Sequence, residues 1–450
     1  MQELQAIINK LQEGKAPGAD QINTTILKKI SQYITPILVK IFNKTFELGI
    51  FPNILKKAIV VPIFKSGDRN NLNNYRPIAL LSIFSKLLET CVKNRLENYL
   101  EKNMILSKRQ FGYRKNLGTE EALLHFTTEV YKSLDKNNIT IAIFLDIAKA
   151  FDTISQDILI QKLENIGIRG LPLNWFKTYL TNRLQRVKIA NHFSDWQTVK
   201  SGVPQGSVLG AILFLIYIND LCDLQINGSL NSFVDDTAML YSFCDPNLIE
   251  QHINHDLRKI ALWFNNNKIT LNVKKTKYIT FTLKNYTSNE FLNFNFTYHS
   301  NCSIYNNENC NCLSIQREES IRYLGIVLDQ NLNWKNQITT ISNKLRYVLY
   351  KFYHVRTYIS LDFLKIIYYA LVQSHLQYGL LSWGGTYHSN LKQIETVQNK
   401  IIRTMTFSDS RQTATPIYKS LDILPLRNLY VYKSILQFKY KTLIATQNQP

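Results

Sequence analysis

The run ITIAIFL at residues 139–145 is apolar at every position except Thr140, is rich in β-branched side chains, and stops directly on Asp146. A strand of this kind has to be covered on both faces. The chain must therefore lay material on both sides of a sheet and carry a carboxylate at the strand's C-terminal end. A second acidic feature comes later, in SFVDDTAMLY (232–241), where Asp235 and Asp236 stand side by side between two apolar runs. That pattern predicts a β-hairpin with the acids at its turn.

The acid pair alone has two readings. Asp suits turns, so turn chemistry accounts for it without any ligand. If the two strands are neighbours, however, Asp146 and Asp235 converge, and their repulsion calls for a cation. Hard Mg²⁺ favours carboxylate oxygens and substrate phosphates, and two such ions assist phosphoryl transfer. Asp152, just after the strand, reads as a helix cap.

The charge balance points the same way. The 450 residues carry 53 basic and 33 acidic side chains, a formal excess of +20, which suits a polyanionic partner, nucleic acid first. A composition 45% hydrophobic is that of a folded protein, and the length suits two or three subdomains. Six cysteines do not make a disulfide framework. Cys302, Cys310 and Cys312 lack a CxxC pair and nearby histidines, so they read as reduced thiols in an Asn-rich insertion rather than a zinc site. The N-terminus lacks a secretory h-region. The longest apolar stretch, Val208 to Ile218, is about half of a membrane span. A soluble, intracellular protein with no membrane partner is expected.

The chain reads as helical, then mixed α/β, then helical again. Residues 285–318 are Asn-rich and weakly patterned, and are expected to form an extended loop. The Tyr-rich helices after Trp334 are expected to put their rings in the core.

Several blocks occur in a fixed order: GKAPGADQI, PIFKSGDRNNLNNYRPIALLSIFSKLLE, QFGYRKNLGTEEAL, LDIAKAFD, GVPQGSVLGAILFLIYINDL, FVDDTAML, LNVKKTKYITF and YLGIVLD. Together they resemble the reverse transcriptase domain of non-LTR (LINE-type) retrotransposons, especially the jockey-like elements. The likeness covers nearly the whole chain. It implies an α+β right-hand polymerase, with an N-terminal extension and fingers at 1–136, a palm at 137–330 and a helical thumb at 331–450. It also implies RNA-templated DNA synthesis from a 3′-hydroxyl primer, with two Mg²⁺ ions (or Mn²⁺) as cofactors. The implied partners are an RNA template, a DNA primer or target, and dNTPs, with nuclear action for integration. Relatives carry an upstream endonuclease, so one is expected from a missing domain or in trans. The rival reading is a catalytically silent descendant that only binds RNA; the intact acids argue against it.

By the same resemblance, Asp146 and Asp235 are metal ligands, the Ile147 carbonyl is a further oxygen, and Asp236 is a third acid that tunes or orients the site. Phe151 lies beneath the incoming sugar and excludes a 2′-hydroxyl. Val203, Pro204, Gln205 and Gly206 form a turn that supports template and nucleotide. Lys65 and Arg76 grip the triphosphate, and Lys275 lies near the leaving pyrophosphate, with Lys274 and Lys277 as neighbours. Ala211 and Val234 depart from the usual Pro and Ala; both changes are apolar and remove no chemistry.

Overall fold

A computed structural model describes residues 1–148, 150–245, 248–283, 294–299 and 312–447, with side chains to residue 439. The N-terminal part opens with helices α1 (Gln2–Lys10), α2 (Thr24–Lys29) and α3 (Ser31–Leu48). Gly49 ends α3 in the left-handed region at φ 64°, a conformation that costs glycine little. Strands β1 (Lys57–Phe64) and β2 (Tyr75–Leu81) then pair antiparallel, from Ala58 opposite Leu81 to Phe64 opposite Tyr75. Helix α4 (Ile83–Lys102) follows, with Ser82 as its cap: the Phe84 N–H donates to Ser82 Oγ at 3.2 Å. Helix α5 runs from Thr119 to Asp135.

The centre begins with β3 (Ile139–Leu145), then α6 (Gln156–Asn165), α7 (Gly170–Leu180), β4 (Leu184–Ile189), β5 (His192–Phe193), β6 (Gln197–Thr198) and α8 (Gly210–Ile218). The acid pair lies between β7 (Ser229–Phe233) and β8 (Asp236–Phe243), and α9 (Ile249–Asn266) and β9 (Lys277–Phe281) come next. Four more strands follow: β10 (Phe296–Tyr298), β11 (Leu313–Arg317), β12 (Ser320–Tyr323) and β13 (Ile326–Asp329).

The main sheet has the order β10-β11-β9-β3-β8-β7, so β3 is internal and antiparallel to both neighbours. Its apolar run is explained by cover on both faces. Ile139, Ile141, Ile143 and Leu145 face one core with α6, α8 and α9. Ala142 faces another with α5 and the C-terminal helices. Helix α8 is apolar all round because it lies inside the first core. No helix of the described residues is long and apolar enough to cross a membrane.

The expected loop at 285–318 needs correction. Its described parts include β10 and β11, which extend the sheet outward from β9. Phe296 and Ile315 are buried there, and pairing with β9 stabilises strands too short to show in an Asn-rich sequence. Residues 284–293 and 300–311, with Cys302 and Cys310, lie outside the described residues. Asp152 is not the cap of α6 either: Ser155 holds that position.

The C-terminal part is helical: α10 (Lys335–Val355), α11 (Leu361–Tyr368), α12 (Ser374–Gln377), α13 (Leu380–Trp383), α14 (His388–Met405), α15 (Ala414–Leu421) and α16 (Leu426–Gln447). Tyr368, Tyr418, Trp334 and Trp383 fill its core as the Tyr-rich pattern suggests. Tyr347, Tyr350, Tyr353 and Tyr358 do not, and stand exposed.

The loop before α8 is held by a buried carboxylate. Glu89 Oε2 accepts from the Val208 N–H at 2.8 Å and the Leu209 N–H at 3.3 Å, while Ser85 Oγ donates to Oε1 at 2.7 Å. Removing it leaves buried donors unpaired. Glu89→Ala is expected to lower unfolding free energy by roughly 2–3 kcal/mol, seen as a lower denaturant midpoint with an unchanged m-value.

Candidate active site

The β3–β8 register fixes the acids. Leu145 is opposite Thr237, so Asp146 follows the end of β3 just across from Asp236, the first residue of β8. Phe233 pairs with Asp236, which leaves Val234 and Asp235 as a two-residue turn. By strand alternation Asp146 and Asp236 share the face that carries Ala142 and Ala238. Three carboxylates thus meet at one end of two adjacent strands, as the sequence suggested.

The turn is strained. Val234 has φ 61°, which a β-branched side chain rarely adopts. Gln110, fully buried, holds it there. The Val234 and Gly112 N–H groups both donate to Gln110 Oε1 at 3.2 Å, and Gln110 Nε2 donates to Ser232 Oγ at 3.1 Å. The backbone adds two bonds, Phe111 N–H to the Ser232 carbonyl at 2.9 Å and Ser232 N–H to the Arg109 carbonyl at 3.0 Å. Residues 109–112 therefore extend the sheet beyond β7. Gly112 has no room for a side chain: a Cβ would stand 2.4 Å from Val234 Cγ2.

A second clasp holds Asp146. The Asn272 N–H donates to the Asp146 carbonyl at 2.8 Å, the Ala148 N–H to the Thr270 carbonyl at 2.9 Å, and the Asp146 N–H to Thr276 Oγ1 at 3.2 Å. Ile147 bridges Leu271. The bridge's bonds run through Asp146 and Ala148, which leaves the Ile147 carbonyl out of it. The Asn272 side chain lies beside the Asp146 carboxylate and favours its charged form.

The electrostatics follow from this crowding. The Asp146 carboxyl is raised above the ordinary value, first by burial and also by Asp235, against the pull of Lys275, Lys65 and the Asn272 amide. The Asp236 carboxyl is pushed up to about 6, by burial first, then by Asp235 and Asp146, with Lys65 opposing. By accessibility Asp236 is an exposed residue, which tempers the burial effect. Burial and the charge of Asp235 likewise raise the Tyr113 hydroxyl.

Among the described residues, no group of three or more Asp, Glu, His or Cys side chains is arranged to hold a metal ion. The donor set is nevertheless right for a hard cation, because it is all oxygen and its members repel one another. Mg²⁺ commonly takes only one or two carboxylates and completes its shell with water and phosphate.

The other expected residues are partly gathered. Lys65 sits at the end of the β1–β2 hairpin, its N–H donating to the Asn74 carbonyl at 2.8 Å, and its charge reaches Asp146 and Asp236. Arg76 pairs with Ile63 on the same hairpin and is exposed; among the described residues no hydrogen bond or ion pair ties it to the acids. Lys275 is the strongest cation acting on Asp146, whereas Lys277 is paired with Glu318 at 3.3 Å. Phe151 stacks on Phe214, centroids 4.9 Å apart, and its carbonyl accepts from the Val203 N–H at 3.0 Å. Pro204 and Gln205 follow Val203, and the Gln205 carbonyl accepts from the Ala79 N–H of β2 at 2.7 Å. Gly206 passes so close to β2 that a Cβ would meet the Ala79 carbonyl oxygen at 2.8 Å. This turn thus joins the Phe151 loop to the β1–β2 hairpin.

The blocks QFGYR and LNVKKT carry the family likeness, but local pattern assigns no role to Gln110, Gly112, Tyr113, Asn272 or Thr276. A glutamine two residues before a glycine was the available signal, and nothing in its spacing shows which turn it meets.

Two outcomes are expected. Gln110→Ala leaves the Val234 and Gly112 N–H groups without their acceptor and lowers stability by roughly 1–3 kcal/mol, readable by denaturant titration. Raised acid pKa values mean that the folded state binds protons more tightly than the unfolded one. Their contribution to stability is full below the ordinary carboxylate value and is lost as pH rises through about 6. In chelator, Asp236→Asn should flatten the fall in Tm across that window; an unchanged slope would contradict the crowding.

A family profile for reverse transcriptase (RNA-dependent DNA polymerase) matches residues 56–328, more than half of the chain. A probable RNA-directed DNA polymerase from transposon X-element of Drosophila melanogaster is 28% identical over 433 residues, covering 94% of this chain and 45% of the relative. The RNA-directed DNA polymerase from mobile element jockey of the same species is 26% identical over 414 residues, covering 90% and 43%. The chain thus spans less than half the length of these relatives. Among solved structures, apo telomerase from Candida tropicalis aligns over 94% of this chain and 71% of its own at 11% identity, with a TM-score of 0.45. On the family match, and with three carboxylates at the joint end of two neighbouring strands, this chain belongs to the reverse transcriptase family.

Proposed function

We propose that the chain is an RNA-directed DNA polymerase of a non-LTR mobile element, copying RNA into DNA from a 3′-hydroxyl primer. The observation that carries this is the convergence of Asp146, Asp235 and Asp236 at one sheet end, with Lys65 and Lys275 as the cations acting on them. Family membership supplies the reaction class. The fingers, palm and thumb divide near residues 136 and 330 in this reading.

The residues take separate tasks. Asp146 and Asp235, with the Ile147 carbonyl, would hold two Mg²⁺ ions, and Mn²⁺ suits the same oxygens. When bound, such ions lower the pKa of the primer hydroxyl and stabilise the leaving pyrophosphate. Asp236 helps hold or orient this set. Lys65, on its hairpin, grips the triphosphate, with Arg76 beside it on the same strand pair. Lys275, whose charge acts on Asp146, would give a proton to the departing pyrophosphate. Phe151, wedged between Phe214 and the Val203 turn, is a rigid floor against which a ribose 2′-hydroxyl would clash. Val203, Pro204, Gln205 and Gly206 support the template base and nucleotide. The basic excess serves the RNA template and DNA primer through their phosphates. Target-primed synthesis in the nucleus, with an endonuclease acting from another segment or in trans, completes the reading.

The purified chain with poly(rA)/oligo(dT), dTTP and Mg²⁺ should extend the primer. Asp235→Asn should abolish extension and leave RNA affinity nearly intact; equal loss of both would overturn the metal-ligand assignment. Phe151→Ala should raise incorporation of rNTP relative to dNTP roughly tenfold or more; an unchanged ratio would return Phe151 to core packing.

A further inference from the structure

Helix α10 buries one face and exposes another of different chemistry. Ile338, Ile341, Leu345, Val348 and Phe352 are buried. On the other side Tyr347, Tyr350 and Tyr353 are 64%, 63% and 60% exposed. At 3.6 residues per turn, Tyr347, Tyr350 and His354 fall in one stripe. Lys344 and Lys351 flank it on one side, Arg346 and Tyr353 on the other. The helix holds no Asp or Glu to neutralise these cations. Lys351 Nζ lies 4.6 Å over the Tyr347 ring, and the Tyr350 and His354 rings are 4.4 Å apart.

Exposed rings in a cluster call for a partner. The missing acids make that partner polyanionic, since an apolar partner gains nothing from unneutralised lysines and arginine. The flat rings narrow it further: a duplex hides its base faces, whereas an unpaired strand presents them for stacking. The helix is also firmly placed. Asp329 at the end of β13 accepts from the Trp334 N–H at 2.8 Å and the Asn333 N–H at 3.0 Å, just before α10. The preceding hairpin carries Tyr323, which senses the charge of Asp236. Tyr347 lies roughly 18 Å along α10 from its start, at about 1.5 Å per residue.

We infer that the Tyr347–Tyr350–His354 stripe of α10 binds an unpaired nucleic-acid strand by base stacking, with the flanking cations on its phosphates. The inference deepens the polymerase reading, but its test measures binding without synthesis, so either can fail alone. The test uses the full chain and fluorescence anisotropy with three labelled probes of equal length: a uridine oligomer, an abasic oligomer and a duplex. The double variant Tyr347→Ala/Tyr350→Ala should bind the uridine oligomer about tenfold more weakly or worse, with the abasic oligomer and duplex nearly unchanged. The corresponding Phe pair keeps the rings and should restore binding. Unchanged affinity for the uridine oligomer, equal loss on the abasic oligomer, or failure of the Phe pair would overturn the inference. Loss of self-association with oligomer affinity intact would overturn it too, by assigning the face to a second copy.

Discussion

Three carboxylates held at the shared end of two neighbouring strands repel one another, and the architecture around them answers that repulsion. Asp146 cannot retreat, because β3 is an internal strand, antiparallel to both its neighbours, with cores on both faces of the sheet. Asp235 and Asp236 cannot retreat either, because β8 is paired along its length with β3. The protein partly compensates with distant cations. Lys65 arrives from the β1–β2 hairpin and Lys275 from the clasp after α9. What remains is a crowded oxygen site with the Asp146 and Asp236 pKa values raised, electrostatically suited to a divalent ion.

Holding the acids there takes more than the two strands that carry them. Val234 sits in a backbone conformation that a β-branched residue resists, and such strain persists only where surroundings over-determine it. Gln110 supplies that determination with one buried amide that serves both the strained turn and its own loop. Gly112 lets the loop approach, and the Val234 methyl fills the space its missing side chain leaves. The Val at this position, which looked like a neutral replacement for a smaller residue, has packing contacts of its own. On the other side Asn272 and Thr276 fix the strand end that carries Asp146. The Val203–Gly206 turn is tied to both Phe151 and Ala79, so the Phe151 loop and the hairpin bearing Lys65 share one support.

Much of this was legible in local pattern. The apolar run at 139–145 marked an internal strand, and VDD between apolar runs marked a hairpin. Pattern failed where stability comes from pairing with a remote strand. Phe296–Tyr298 and Leu313–Arg317 are too short and too Asn-flanked to signal themselves, and exist because the second adds to β9 and the first to the second. It failed again on α10, where tyrosines at helical spacing look the same in sequence whether they face the core or water.

The sequence by itself determined the acids, their places at strand ends and the basic excess around them, because side-chain period and charge are local properties. It also carried the ordered blocks by which the family is identified. Only the tertiary structure decided that Gln110 grips the Val234 turn, that Lys275 rather than Lys277 acts on Asp146, and that one face of α10 stays open. Those outcomes depend on which distant segments touch, and contacts between residues far apart in the chain leave no period to read.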